Sequence, residues 1–122
     1  MITGVINADR EAMLRVAVQG MVGTQEFEAV IDTGFNGYLT LSSAEIAVLG
    51  LLFHSQSFVT WGDGSNIILR QFEAVIDWNE QNRDVLVLET EGGPLVGMAL
   101  LYGFDVWLRI LDGGNVKIEA IP

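Results

Sequence analysis

Hydrophobic positions recur mostly with period two. Leu14, Val16 and Val18 alternate with Arg15, Ala17 and Gln19, which reads as a strand with one buried face. Gly20 and Gly23 bracket a turn into a second strand over residues 27–31, interrupted at Asp32-Thr33-Gly34, and a short third strand spans 38–41. Ser42-Ser43-Ala44-Glu45 has capping-box spacing, so a short helix starts there and ends near Gly50. Residues 53–61 and 66–78 read as the arms of a hairpin around Gly62-Asp63-Gly64-Ser65, because Asp-Gly favours tight hairpin turns. A polar turn at 79–82 leads into a strand over 84–89, and Gly92-Gly93-Pro94 breaks the chain. Leu95-Val96-Gly97 is a short apolar segment, and 98–102 has room for one or two helical turns. A last hairpin joins 106–111 to 116–118. Residues 1–9 are either a strand in a dimer sheet or a mobile tail. The pattern predicts one all-β domain over residues 1–122, with many short strands and one or two short helices. The hexapeptide Phe-Glu-Ala-Val-Ile-Asp occurs at 27–32 and 72–77. Six residues are too few for a repeat architecture, so the two copies read as similar strand surfaces.

Composition adds a surplus of apolar residues. Half of the 122 residues are hydrophobic and 18% are charged, with a mean hydropathy of +0.39. For one small domain that predicts apolar surface buried against another chain. The formal net charge is −10, and the basic residues Arg10, Arg15, Arg70, Arg83, Arg109 and Lys117 are scattered. Such a chain offers no phosphate-neutralising patch, so neither nucleic acid nor an anionic membrane surface is an expected partner. The apolar run 95–111 is interrupted by Gly97, Gly103, Asp105 and Arg109, unlike a membrane span. The start has no basic region followed by an apolar stretch, so a cytoplasmic location is expected.

Most chemistry is then removed by elimination. There is no cysteine, hence no thiolate nucleophile or thiolate metal site. His54 is the one histidine; it reads as a strand residue packed near the surface, and no serine sits in a nucleophile-elbow context. No EF-hand loop or Gly-rich phosphate loop with a following lysine is present, so no metal and no cofactor are expected. Carboxylates remain. Six of the seven aspartates (Asp9, Asp63, Asp77, Asp84, Asp105 and Asp112) fall in turns, loops or strand edges. Asp32 instead ends the apolar strand Ala29-Val30-Ile31, where its charge is partly desolvated. Thr33 follows with a hydroxyl and Gly34 permits a sharp turn. An ordinary strand-to-turn exit has the same appearance at these three residues alone.

The wider context narrows that choice. Ala29 through Gly34 resembles the active-site motif of aspartic proteases. The stretch 30–41, followed by a helix closing in Leu49-Gly50-Leu51, is similar to the small retropepsin-like proteases of bacteria and archaea. Asp63-Gly64-Ser65 stands where that family has its flap hairpin. Residues 94–101, with Leu95-Val96-Gly97, resemble its late hydrophobic-hydrophobic-Gly segment and short helix, and 113–118 its closing strand. The four segments follow in order over residues 14–119.

The resemblance implies an acid-protease-like β-barrel, closed or partly open, and a mechanism in which two aspartates share one proton. This chain has one Asp-Thr-Gly, so it implies a homodimer with one Asp32 from each copy across a two-fold axis. Thr33 would brace the two loops across that axis, and Gly34 would present its carbonyl to substrate. The hairpin at Gly62, Asp63 and Gly64 would close over an extended peptide, with Trp61 as a wall. Two positions depart from the retroviral pattern, which carries Asp two residues after the Asp-Thr-Gly glycine and Arg directly after the late glycine. Asn36 and Met98 stand there, so the ion pair that supports the retroviral dimer is missing in both halves, which points to a more apolar interface. Phe35 also stands where those enzymes have a small residue, and it is expected to narrow the cleft. Two functions follow from the residues: a homodimeric aspartic endopeptidase, or a non-catalytic dimeric β module that binds peptides or mediates assembly.

Overall fold

The computed structural model describes residues 1–60 and 62–122. In chain order they form β1 (Ile2–Ile6), β2 (Ala12–Gln19), β3 (Thr24–Ile31), β4 (Leu39–Leu41), α1 (Ser43–Leu49), β5 (Leu52–Thr60), β6 (Asn66–Trp78), β7 (Gln81–Glu89), β8 (Leu95–Val96), α2 (Met98–Leu101), β9 (Phe104–Leu108) and β10 (Asn115–Ala120). The architecture is all-β with two short helices, as the alternation predicts.

Leu14, Val16 and Val18 all point inward from β2 and are buried. The sheet runs β5-β6-β7-β4-β8-β3-β2-β1-β10-β9, and an added β6–β2 pairing joins six of these strands into a ring. The inward rows of the ring, among them Ala29, Leu39, Ile76, Val87 and Val96, form the core together with Ile46 and Leu49 of α1. Burying these side chains removes apolar surface from water and drives the fold.

Local signals set the joints. Ser42 Oγ accepts the Glu45 amide at 3.2 Å, and Glu45 Oε1 accepts the Ser42 amide at 2.9 Å. Gly50 ends α1 in the left-handed region at φ +67°, where a Cβ is unfavourable. Asn79 and Glu80 both take positive φ, making a two-residue hairpin loop, so β7 begins at Gln81 rather than at 84.

Two other expectations are corrected. The N-terminal segment is not a tail: β1 pairs with β2 and with β10 of its own chain. Ile6 is buried, and a Cβ on Gly4 would fall on the Met13 carbonyl oxygen, so the two strands meet closely there. The last hairpin starts earlier than its apolar pattern suggests. β9 covers Phe104–Leu108, while Ile110 and Leu111 lie outside it, in a loop closed by the Gly114 amide on the Leu111 carbonyl. The hexapeptide copies present similar strand surfaces over their first four residues, with Glu28 and Glu73 exposed and Ala29 and Ala74 buried, but they pair with β2 through different parts, Phe27–Val30 in one copy and Val75–Asp77 in the other. No helix is long and apolar enough to cross a membrane among the described residues.

Candidate active site

Asp32 leaves the sheet where β3 meets β8. β3 runs parallel to β8, with Val30 beside Leu95 and Ile31 beside Val96. The ladder continues one step further, because the Asp32 amide donates to the Val96 carbonyl at 2.9 Å. Asp32 itself is half-buried. Its Oδ1 accepts the Gly34 amide at 2.9 Å, and its carbonyl accepts the Phe35 amide at 3.1 Å. These two bonds fold the chain back on itself, the side-chain turn that aspartate favours. Thr33 and Gly34 lie exposed at the crest of this turn.

The late segment packs directly behind the loop. The Gly97 amide donates to the Tyr38 carbonyl at 3.0 Å, the Met98 amide to the Phe35 carbonyl at 2.8 Å and the Ala99 amide to the Gly37 carbonyl at 3.1 Å. A Cβ at Gly97 would land on the Gly37 carbonyl oxygen and lie 2.5 Å from Phe35 Cδ2. A Cβ at Gly37 would lie 2.5 Å from Phe35 Cζ. The Phe35 ring therefore fills the space that two glycines leave open. Thr40 is 2% exposed; its Oγ1 accepts the Leu95 amide at 2.9 Å and bonds the Gly93 carbonyl at 3.4 Å, pinning the entry to β8.

The structure thus brings Asp32, Thr33 and Gly34 together with Leu95, Val96 and Gly97. Among the described residues no hydrogen bond joins the hairpin tip to that group. Gly62, Asp63 and Gly64 are exposed at the end of the β5–β6 hairpin, and Gly64 holds φ +85°. Asp63 Oδ1 accepts the Ser65 amide at 2.9 Å and the Ser65 hydroxyl at 2.6 Å. These bonds hold the Asp63 carboxyl below the usual carboxylate range. Trp61 lies outside the described residues.

What approaches the loop is the body of the hairpin. A cleft of about 350 Å³ lies between Phe35, Asn36, Gly37 and Tyr38 on one side and Ser57, Leu69 and Gln71 of the hairpin on the other. Leu86, Leu88 and Ala99 complete its walls. Phe35 therefore lines one wall besides covering the glycines. A larger open hollow of about 610 Å³ lies on the far side of Tyr38, lined by Gln19, His54, Glu73 and Asp84 among others. Asp32 lines neither the cleft nor this hollow. His54 is exposed, with Nδ1 3.0 Å from Ser55 Oγ.

Asp77, the aspartate of the second hexapeptide, is exposed and paired with Asn82 inside the β6–β7 hairpin. The same six residues thus end in an ordinary ladder position in one copy and in the clamped turn in the other. Among the described residues no group of three or more His, Cys, Asp or Glu is placed to hold a metal ion. The sequence reading missed Thr40 and the Phe35–glycine packing. Thr40 carried a signal, as the polar residue in the otherwise apolar run 38–41; the glycine pair carried none, because residues 37 and 97 meet only in three dimensions.

No protein-family model matches the chain, and no curated protein matches it.

Proposed function

We propose that this protein is a homodimeric aspartic endopeptidase of the retropepsin-like kind, with one Asp32 from each copy forming its catalytic pair. The observation that carries this reading is Asp32 itself. It is a half-buried carboxylate on a tight turn, fixed by the Gly34 amide and clamped to Val96, with Gly97 packed behind it. In the same reading the six-strand ring is a partly open acid-protease-like barrel and the β5–β6 hairpin is its flap.

Two carboxyl groups about 3 Å apart hold one proton between them, because both cannot ionise. The ionised member takes a proton from a water, and the water oxygen attacks the peptide carbonyl carbon. The protonated member donates to the carbonyl oxygen as negative charge develops there. Collapse of the tetrahedral species breaks the C–N bond, and the amine leaves with a proton from the pair. No covalent intermediate forms, and the pair titrates as a unit, so activity belongs on the acidic side of neutrality. Substrate enters as an extended strand beneath the hairpin. Leu69, Leu86, Leu88 and Ala99 give one subsite apolar walls, and Asn36, Ser57 and Gln71 supply its polar groups.

The second copy has a natural place. Val106 and Leu108 stand in register with Ile118 and Val116 of β10. Those β10 residues are fully buried, yet Val106 and Leu108 are 37% and 38% exposed. The difference is the bare edge of β9, the last strand of the sheet. An unpaired apolar edge is a template for another strand. A copy of β9 laid antiparallel about a two-fold axis is self-complementary, and it covers the surplus apolar surface.

The test incubates the wild-type dimer and the Asp32→Asn dimer with a mixed peptide library at several acidic pH values and reads products by mass spectrometry. Asn retains an oxygen for the Gly34 amide, so the fold is expected to survive. Cleavage is expected to fall by at least about 10³-fold, within the range for loss of a general acid–base group. Equal cleavage by both, or peptide capture by both with no cleavage, overturns the reading; the second result assigns a binding module instead.

A further inference from the structure

We infer that Arg83 is the positioning residue of this site, locking α2 and Tyr38 to β7 and thereby fixing the loop that bears Asp32. The inference rests on the proposed peptidase reading for its kinetic consequence, and on the contacts of Arg83 for its structural one.

Arg83 stands in the inward row of β7 with Val85 and Val87, both buried, and is itself half-buried. Ion pairs among the described residues are made by Arg15 and Arg70. The Arg83 guanidinium instead donates to two successive carbonyls at the end of α2, from Nη1 to Leu100 at 3.1 Å and from Nη2 to Ala99 at 3.2 Å. Its centre lies 5.4 Å from the ring centroid of Tyr38, within cation–π range.

Those carbonyls need an outside partner. The last carbonyls of any helix have none within it, and a four-residue helix has no stability of its own. Leu100 and Leu101 are buried, which restricts water at that end. α2 is therefore held from two directions. Its first two amides bond the Phe35 and Gly37 carbonyls of the Asp32 loop, and its last carbonyls bond Arg83. Tyr38, whose carbonyl accepts the Gly97 amide, is held between the two. The route runs from β7 through one guanidinium to α2, then through the Met98 and Ala99 amides to the loop.

A planar fork suits this task. Two parallel N–H groups reach adjacent carbonyls while the flat face stacks on a ring, and lysine offers neither feature. The retroviral pattern places its arginine directly after the late glycine. Here Met98 holds that position, and the arginine comes from β7, against the same helix.

The experiment uses the full-length dimer and the variants Arg83→Lys, Arg83→Met and Tyr38→Leu. Amide hydrogen exchange is read peptide by peptide, with kcat and KM on a peptide that the wild type cleaves. In Arg83→Lys, residues 33–38 and 97–101 are expected to exchange at least about 10-fold faster, since each local bond lost there lowers the opening free energy. Exchange in β2 and β3 stays unchanged. In the same variant kcat falls about 10- to 100-fold with KM within about 3-fold, the pattern of a misplaced reacting group rather than lost binding. Arg83→Met gives the same pattern more strongly, and Tyr38→Leu, which leaves the guanidinium in place, gives it more weakly. If neither Arg83 variant folds, the exchange pattern of Tyr38→Leu decides. Unchanged exchange at 33–38, or equal acceleration in every strand, overturns the inference. A wild type that cleaves nothing defeats the peptidase reading, while the exchange pattern still decides the role of Arg83.

Discussion

A missing methyl group at position 97 allows the candidate site to assemble. Any Cβ there would collide with the Gly37 carbonyl and with Phe35, and a backbone carbonyl cannot move aside as a flexible side chain can. Gly97→Ala is therefore expected to destabilise the protein by about 2–3 kcal/mol, the upper range for overpacking, measured by chemical denaturation. Protection should be lost first around 33–38. Phe35 shows how the same neighbourhood changes the meaning of a residue. From sequence it is a bulky intruder beside Asp-Thr-Gly; in the structure its ring rests on Gly37 and Gly97 as well as on the cleft. Asp32 makes the complementary point. Its identity was plain in the sequence, but its value lies in the bonds from Gly34 and to Val96, one local and one across the fold.

At the scale of elements, the most legible features were those whose causes are local. The capping box of α1 depends on residues three apart, and its two bonds form as the spacing predicts. The arms of the β5–β6 hairpin follow from their apolar runs and the Gly-Asp-Gly between them. The tip also carries a pH prediction. Asp63 has a lowered pKa because Ser65 bonds its ionised form. The sign follows: the turn is fully stabilised above the ordinary carboxylate pKa and loses that support only as pH falls through the lowered value. The tip should thus keep its shape at the mildly acidic pH at which a shared-proton pair works. An NMR titration of the Ser65 amide is expected to show a midpoint below the ordinary aspartate value, absent in Asp63→Asn. Elements fixed by distant partners were less legible. β1 has a weak pattern of its own and is a strand because β2 and β10 flank it. β9 was displaced because the apolar Ile110 and Leu111 extend its pattern past the point where pairing with β10 stops.

For the whole molecule, the proposed shared pair needs an Asp32 from a second copy, and the bare edge of β9 is the proposed seam. Charge on an edge strand is the usual defence against such pairing, so Val106→Lys combined with Leu108→Lys is expected to leave the fold intact. Sedimentation velocity should show a monomer, and cleavage should vanish because a lone Asp32 has no partner. A double variant that remains dimeric would move the seam elsewhere. A monomer that retains cleavage would contradict the shared pair itself.

The amino-acid sequence by itself determined the strand-rich class, the α1 cap, the β5–β6 turn and the candidate carboxylate. Each of these depends on side-chain alternation or on residues within a few positions of one another. Only the tertiary structure decided what stands around Asp32. Val96 and Gly97 reach it through a parallel pairing across more than half the chain, and Thr40 pins that pairing in place. Arg83 meets Tyr38 and α2 from a strand that belongs to neither. Such contacts depend on which strands become neighbours when the sheet closes into its ring. That choice is governed by the summed burial of many side chains, and no short stretch of sequence records it.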